Sequence, residues 1–268
     1  MRTEWMNPDN LSFNSEADQV LFCRHKKAYD NVIHFIENKK VLELGCGSGF
    51  GANILSKYTK NLSAVDRDEK ALERAKAANE TVDFYNADIL DGLPFEKNSF
   101  DAIIAFQIFE HIHPDNSLQF LKEINRILKT GGHLYLTTPN RKIRLLPFQK
   151  PTNKYHKIEY TAKSLSKVLS NVFSEIDITG LRALPEIEKI EIKRAKGSPF
   201  SVYIRNPFRK LIVKIFGLAL NKNILKTKGD VINKVPEKEN SKKFSEDDFY
   251  FTRENLDKSI DFFVICKK

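Results

Sequence analysis

Four glycines at alternate positions, Gly45, Gly47, Gly49 and Gly51, close an apolar run in the stretch VLELGCGSGFG. A strand that ends in glycines at the start of a helix lets backbone N–H groups approach a ligand closely, because glycine has no Cβ to collide with it. The chemistry suggested is the holding of a nucleotide-like group. A dinucleotide turn carries G-x-G-x-x-G, whose third glycine lets helix and strand pack around a pyrophosphate. Here the order is G-x-G-x-G and Phe50 stands in that third place. The spacing therefore argues against NAD. Twenty-one residues beyond Gly45, Asp66 ends the run NLSAVD. An acid at the tip of the neighbouring strand is placed to accept hydrogen bonds from both hydroxyls of a ribose. Asp68, two residues on, reads best as the N-cap of the helix that follows.

These residues need a scaffold, and the chain supplies one by regular alternation. Apolar positions at helical spacing in 17–37 predict one or two helices before the first strand, KKVLELGC. GANILSKYT reads as helix, NLSAVDRD as strand, EKALERAKAAN as helix and TVDFYNAD as strand. FDAIIAFQ is the next strand, SLQFLKEINRILKTGG an amphipathic helix with a glycine stop, and HLYLTTPN a further strand. EYTAKSLSKVLSNVF and SEIDITGLRAL add another helix and strand. Strands separated by helices of this length imply right-handed βαβ units and a sheet buried on both faces. The fold class is a doubly wound, Rossmann-like α/β sheet, mostly parallel.

From about 183 to 245 the alternation stops in favour of Lys, Arg and Asn, with Pro185, Pro199, Pro207 and Pro236 as breakers, before IDFFVICKK gives a last strand. A strand that returns after such an interruption marks 183–245 as a basic insertion, leaving 1–268 as one domain with a helical N-terminal segment over 1–38. Within the insertion, 206–222 (NPFRKLIVKIFGLALNK) lines up Phe208, Leu211, Ile212, Ile215 and Ala219 on one helical face. This basic amphipathic helix could lie on an anionic membrane, cover the site, or pack on its own domain.

With 41% hydrophobic and 29% charged residues in 268, the composition is that of a globular protein. No apolar run reaches the roughly 18 residues of a membrane span, and the N-terminus lacks a secretory apolar stretch. A cytoplasmic chain is expected, with a peripheral position at the inner membrane surface open to it. The three cysteines, Cys23, Cys46 and Cys266, lie far apart, which argues against disulfides and zinc; no metal is assigned. Net charge is +9, which allows nucleic acid, anionic lipid or phosphorylated substrates.

The turn VLELGCGSGFG resembles motif I of the class I S-adenosylmethionine-dependent methyltransferases, whose first strand carries an acid just before a G-x-G-x-G turn. The resemblance covers about the first 180 residues and the final strand, which it implies is antiparallel. It implies S-adenosylmethionine as cofactor, held by Gly45, Cys46 and Gly47, with Glu43 as the ordering acid and Asp66, flanked by Arg67, on the ribose. NADILD (86–91) is similar to the family's adenine site. That implies Asp88 accepts from the 6-amino group, the Ile89 N–H donates to N1, and Ala87 lines the ring. FDAIIAFQIFEHI (100–112) resembles the segment at the methionine end, where Phe106 and Gln107 occupy the strand tip. The segment before motif I resembles that of bacterial surface-polysaccharide methyltransferases, which would bring Arg24 or His25 to the cofactor's carboxylate.

A sulfonium is a good methyl donor, so the protein must mainly align an acceptor and remove its proton. His111, after the fourth strand, is the candidate base, because imidazole titrates near neutrality. Glu-His recurs here in family members with different acceptors, so bracing the turn is the other reading of His111. His113 reads as an exposed residue before Pro114. In HKIEYTAKSL, His156, Glu159 and Tyr160 either approach the acceptor or only precede a helix capped by Thr161. The Asn/Asp-Pro-Pro-aromatic signature of amino-methylating nucleic-acid enzymes is absent from AFQIFEH, and no cysteine stands there for C5 methylation. Nucleic acid is thereby disfavoured. The expected acceptor is a small-molecule or glycan hydroxyl, with surface-polysaccharide synthesis as the expected setting. An RNA- or protein-directed methyltransferase and a catalytically idle cofactor-binding scaffold are the alternatives.

Overall fold

The computed structural model describes residues 15–195 and 243–268. Of the basic insertion, 196–242 falls outside the described residues, and with it the amphipathic stretch 206–222. Strands β1 (Lys40–Leu44), β2 (Asn61–Asp66), β3 (Asp83–Asn86), β4 (Phe100–Phe106) and β5 (Leu128–Pro139) alternate with helices α2 (Phe50–Leu55), α3 (Glu69–Ala78) and α4 (Ser117–Ile127), after α1 (Glu16–Val32). Beyond β5 come α5 (Arg141–Arg144), α6 (Ala162–Leu169), β6 (Glu175–Ala183), α7 (Pro185–Ala195), β7 (Phe249–Thr252) and β8 (Asp261–Lys267). They form one sheet in the order β3-β2-β1-β4-β5-β8-β6-β7. The first five strands pair in parallel, and β8 pairs antiparallel with both β5 and β6. Chain order reverses direction at β1, so the crevice beyond the tips of β1 and β4 is a topological switch point, where ligands of open α/β sheets bind.

Side-chain alternation sorts the central strands into two cores. Leu42, Leu44, Ile103 and Ala105 face α4 and α6, in a cluster with Phe120, Ile124, Leu165 and Leu169. Val41, Ala102, Ile104 and Phe106 face the other way, against Tyr29, Val32, Ala52 and Leu72 of α1, α2 and α3. A period of two along each strand puts successive residues on opposite faces, so both faces are covered. Asp68 N-caps α3, accepting from the Ala71 N–H, and Thr161 with Ser164 forms a capping box on α6.

Two expectations need correction. The helix read through LKTGG ends at Ile127, and Leu128 to Gly132 belong to β5. Pro185 opens α7 instead of breaking structure, as suits a residue whose missing N–H needs no partner at a helix start. The strand β7, antiparallel to β6, lies at the far edge of the sheet, where a short run carries little pattern of its own.

Candidate cofactor and acceptor site

The turn after β1 is built on close approach. Gly45 has φ of +67°, and a Cβ there would meet Ile108 Cδ1 at 2.1 Å. A Cβ on Gly51 would stand 1.9 Å from Glu43 Oε1 and 2.3 Å from the Tyr29 oxygen. The free N–H donors expected of this turn are spent inside the protein. Those of Gly45 and Cys46 both go to the Val65 carbonyl (2.8 and 3.1 Å), and Gly49 donates to Cys46 O at 2.9 Å. Gly47 N–H donates to Asp66 Oδ2 at 2.8 Å. The turn therefore offers bare backbone and carbonyl oxygens at these positions more than donors. The Cys46 thiol is buried, and burial pushes its pKa far up, so only its backbone faces chemistry.

Asp66 joins the tips of two strands. Its Oδ1 accepts from Asp68 N–H at 2.9 Å, and burial raises its pKa against these backbone donors. Each carboxylate oxygen retains a lone pair for a ribose hydroxyl. On the next tip, Asp88 accepts from Leu90 N–H at 3.0 Å and lies 3.5 Å from the exposed Arg67 guanidinium. Ala87 and Ile89 beside it are half-buried against the core, and Ala87 N–H ties back to Asp66 O at 3.1 Å. Glu43 is 1% exposed. Its Oε1 accepts from Tyr29 at 2.7 Å, while Oε2 is buried without a partner.

At the tip of β4, Gln107 takes φ of +57°, a conformation costly for a non-glycine residue. It is held there by Thr137, whose carbonyl accepts from the backbone N–H at 2.9 Å and whose hydroxyl accepts from Nε2 at 3.2 Å. Phe106 and Gln107 share a narrow cavity with Arg24, His25, Tyr29 and Asp261. Arg24 thus comes to the tip of β4, but its charge is already matched by Glu191 at 2.9 Å and Asp261 at 3.2 Å.

On the acceptor side, the loop 155–159 is stitched to the turn after β4, since Lys157 N–H donates to Glu110 O at 2.8 Å. His111 and His156 meet edge to face with centroids 5.0 Å apart. Burial, then the nearby His156, pushes His111 down to about 4, although a hydrogen bond to the Tyr155 backbone opposes the shift. His111 is neutral at physiological pH and a weak base. Glu110 is fully buried; Thr138 donates to its Oε2 at 3.0 Å, Oε1 has no partner, and burial pushes the carboxyl up to about 8. His156 Nδ1 lies 2.9 Å from Glu159 Oε1, which also accepts from Arg144 at 3.1 Å. Against burial, these two partners hold Glu159 below the usual carboxylate range. Among the described residues, Glu110, His111 and His156 each offer a metal-competent atom, all within 4.8 Å of one another. No linear spacing announces this group, because 45 residues separate His111 from His156. Of the two readings of Tyr160, the structure has the one that precedes the Thr161-capped helix: it is 1% exposed and stacks on Phe109 at 5.1 Å, a core role. His113 is exposed and pairs with Asp115.

Sequence reasoning missed Tyr29, Glu110, Thr138 and Asp261. A glutamate inside the apolar context IFEHI was a usable signal for Glu110; the others come from distant segments.

Residues 42–136 match the family described as Methyltransferase domain. A probable S-adenosylmethionine-dependent methyltransferase of Mycolicibacterium smegmatis is 31% identical over 159 residues, 59% of this chain and 60% of that protein. A ubiquinone biosynthesis O-methyltransferase of Vibrio parahaemolyticus is 26% identical over 172 residues, 58% of this chain and 72% of that protein. In fold, the chain superposes on an S-adenosylmethionine-dependent methyltransferase from Archaeoglobus fulgidus with a TM-score of 0.54 at 16% identity, covering 91% and 94% of the two chains. The chain thus spans about three fifths of the length of the mycobacterial relative. Residues 42–136 are thus similar to a methyltransferase domain, and the mycobacterial relative is named for dependence on S-adenosylmethionine. The residues present fit that group: acids end β2 and follow β3, and the buried Glu43 Oε2 has no hydrogen-bond partner among the described residues.

Proposed function

We propose that the protein transfers the methyl group of S-adenosylmethionine to a hydroxyl of a small-molecule or glycan acceptor, in bacterial surface-polysaccharide synthesis. The observation that carries this reading is the Ile108 side chain occupying the space where a Cβ on Gly45 would stand. It joins the cofactor turn directly to the segment bearing Glu110 and His111. The bound cofactor supplies an electrophilic methyl on a sulfonium. Asp66 receives the ribose hydroxyls, Asp88 and Ile89 take the adenine edge, and the Thr137-held backbone at Gln107 shapes the methionine end. Glu110, His111 and His156 face the acceptor, and burial keeps water from competing for the methyl. A similar protein named for O-methylation supports an oxygen acceptor. Residues 206–222 are assigned a peripheral contact with anionic lipid.

Calorimetric titration with S-adenosylmethionine and its demethylated product, with NAD as control, tests the cofactor. Labelled-methyl transfer to nucleotide sugars, glycans and phenols tests the acceptor. Labelling of RNA or protein in place of these would overturn the hydroxyl reading. Binding of neither cofactor form would bring the idle scaffold forward.

A further inference from the structure

The cluster beside the acceptor holds more than a base needs. One atom each from Glu110, His111 and His156 lies within 4.8 Å of the other two. Ligands about 2.1 Å from a shared ion stand about 3 to 3.5 Å apart, so modest side-chain rotation would bring these three into range. A second observation is independent of that proximity. Glu110 is fully buried and its Oε1 has no hydrogen-bond partner among the described residues, a costly state for a carboxyl oxygen unless a ligand completes it.

The His156 imidazole is also oriented from behind, its Nδ1 fixed on Glu159, which Arg144 holds in turn. Histidines that ligate metals have their other ring nitrogen held by a carboxylate or carbonyl in this way. The hydrogen bonds from Lys157 and Ile158 N–H to the Glu110 carbonyl, 2.8 and 3.3 Å, clamp the two ligand-bearing segments together.

We propose that Glu110, His111 and His156 bind a divalent transition-metal ion of the zinc or manganese kind, with a position open to the acceptor's oxygen. Two imidazoles and one carboxylate favour such ions over magnesium or calcium, which prefer all-oxygen sets. The ion's role rests on the hydroxyl-acceptor reading; its binding does not. On the ion, an acceptor hydroxyl loses its proton to solvent more readily. The oxygen's electron pair then forms the new C–O bond while the S–C bond breaks and sulfur keeps its pair. No oxidation state changes.

The test uses the full chain, stripped with a chelator and titrated with zinc chloride by calorimetry and with cobalt(II) chloride by visible absorption. One ion per chain at micromolar affinity is expected, with imidazole-type cobalt bands and a zinc-dependent rise in melting temperature. Glu110→Gln and His156→Gln should each weaken binding by tenfold or more, and Glu159→Gln, acting through His156, by about tenfold. Calorimetry with S-adenosylmethionine on the same variants verifies that they remain folded. Absence of stoichiometric uptake by the wild-type chain, or equal uptake by all folded variants, overturns the site. Stoichiometric uptake with no hydroxyl acceptor methylated would sink the hydroxyl reading and leave the ion site standing.

Discussion

The Tyr29 hydroxyl donates a 2.7 Å hydrogen bond to Oε1 of Glu43. Helix α1 and the cofactor turn are thereby joined through one buried carboxyl. Burial pushes Glu43 up to about 7, opposed by the Tyr29 bond and the Ala52 N–H, with the neighbouring charge of Asp66 pushing further upward.

A pH-dependent stability follows from that shift. Unfolded, this carboxyl ionises near pH 4.5, so between that value and about 7 the folded chain keeps a proton that the unfolded chain has lost. Folded-state stability from Glu43 is therefore full below pH 4.5 and declines as pH rises through 7. Glu43→Gln removes the decline. The stability of the variant relative to wild type should climb by on the order of 2 to 3 kcal/mol from pH 4.5 to 8. Urea denaturation at several pH values measures it, and a pH-independent difference would refute the assignment.

Asp66→Ala should weaken S-adenosylmethionine binding by at least about tenfold, since hydrogen bonds to a charged group contribute about 1.5 to 3 kcal/mol. Asp66→Asn retains the shape and controls for the bonds to Gly47 and Asp68. Calorimetry decides it; unchanged affinity in both variants removes the ribose role.

Gly51→Ala forces a methyl group into Glu43 and Tyr29. Overpacking of this kind costs about 1 to 3 kcal/mol, and it falls where the turn and α1 meet. The expected result is a lower melting temperature together with weaker cofactor binding. A fully stable variant would mean that the Tyr29–Glu43 pair moves aside freely.

His111→Ala should depress turnover by about 10² or more, the scale of lost assistance to proton removal, whether His111 takes the proton itself or holds an ion that acidifies the hydroxyl, while leaving cofactor affinity within twofold. Full activity would reduce His111 to a brace for the turn. Steady-state kinetics on a methylated acceptor, paired with cofactor calorimetry, separates these outcomes.

Where sequence was informative, the reason was locality. Strands β1 to β5 announce themselves by runs such as VLEL and DAIIAF, and Asp68 and Thr161 declare their capping roles within three residues. The glycine turn could be placed, but not the internal destination of its N–H groups, which depends on the Val65 carbonyl of another strand. Pro185 was ambiguous because a proline breaks a helix from inside but suits its first position. The acceptor cluster was hidden for a different reason: His156 reaches Glu110 and His111 only after a loop folds back across the tip of β4. Arg24 with Glu191 and Asp261 likewise joins three remote segments.

The position of β8 has a consequence for how the chain comes into being. Residues 261–267 sit between β5 and β6 and supply backbone partners to both. During synthesis the facing edges of those two strands stay open until this later-made strand arrives. The buried Asn140, whose side chain donates to the Leu256, Asp257 and Ser259 carbonyls, waits for the same event. The glycine turn itself, whose hydrogen bonds run to β2 or stay within the turn, has no such dependence. Nascent chains should therefore order the side of β1 to β3 before the side of β5 to β7, with exposed strand edges as the interval's aggregation hazard.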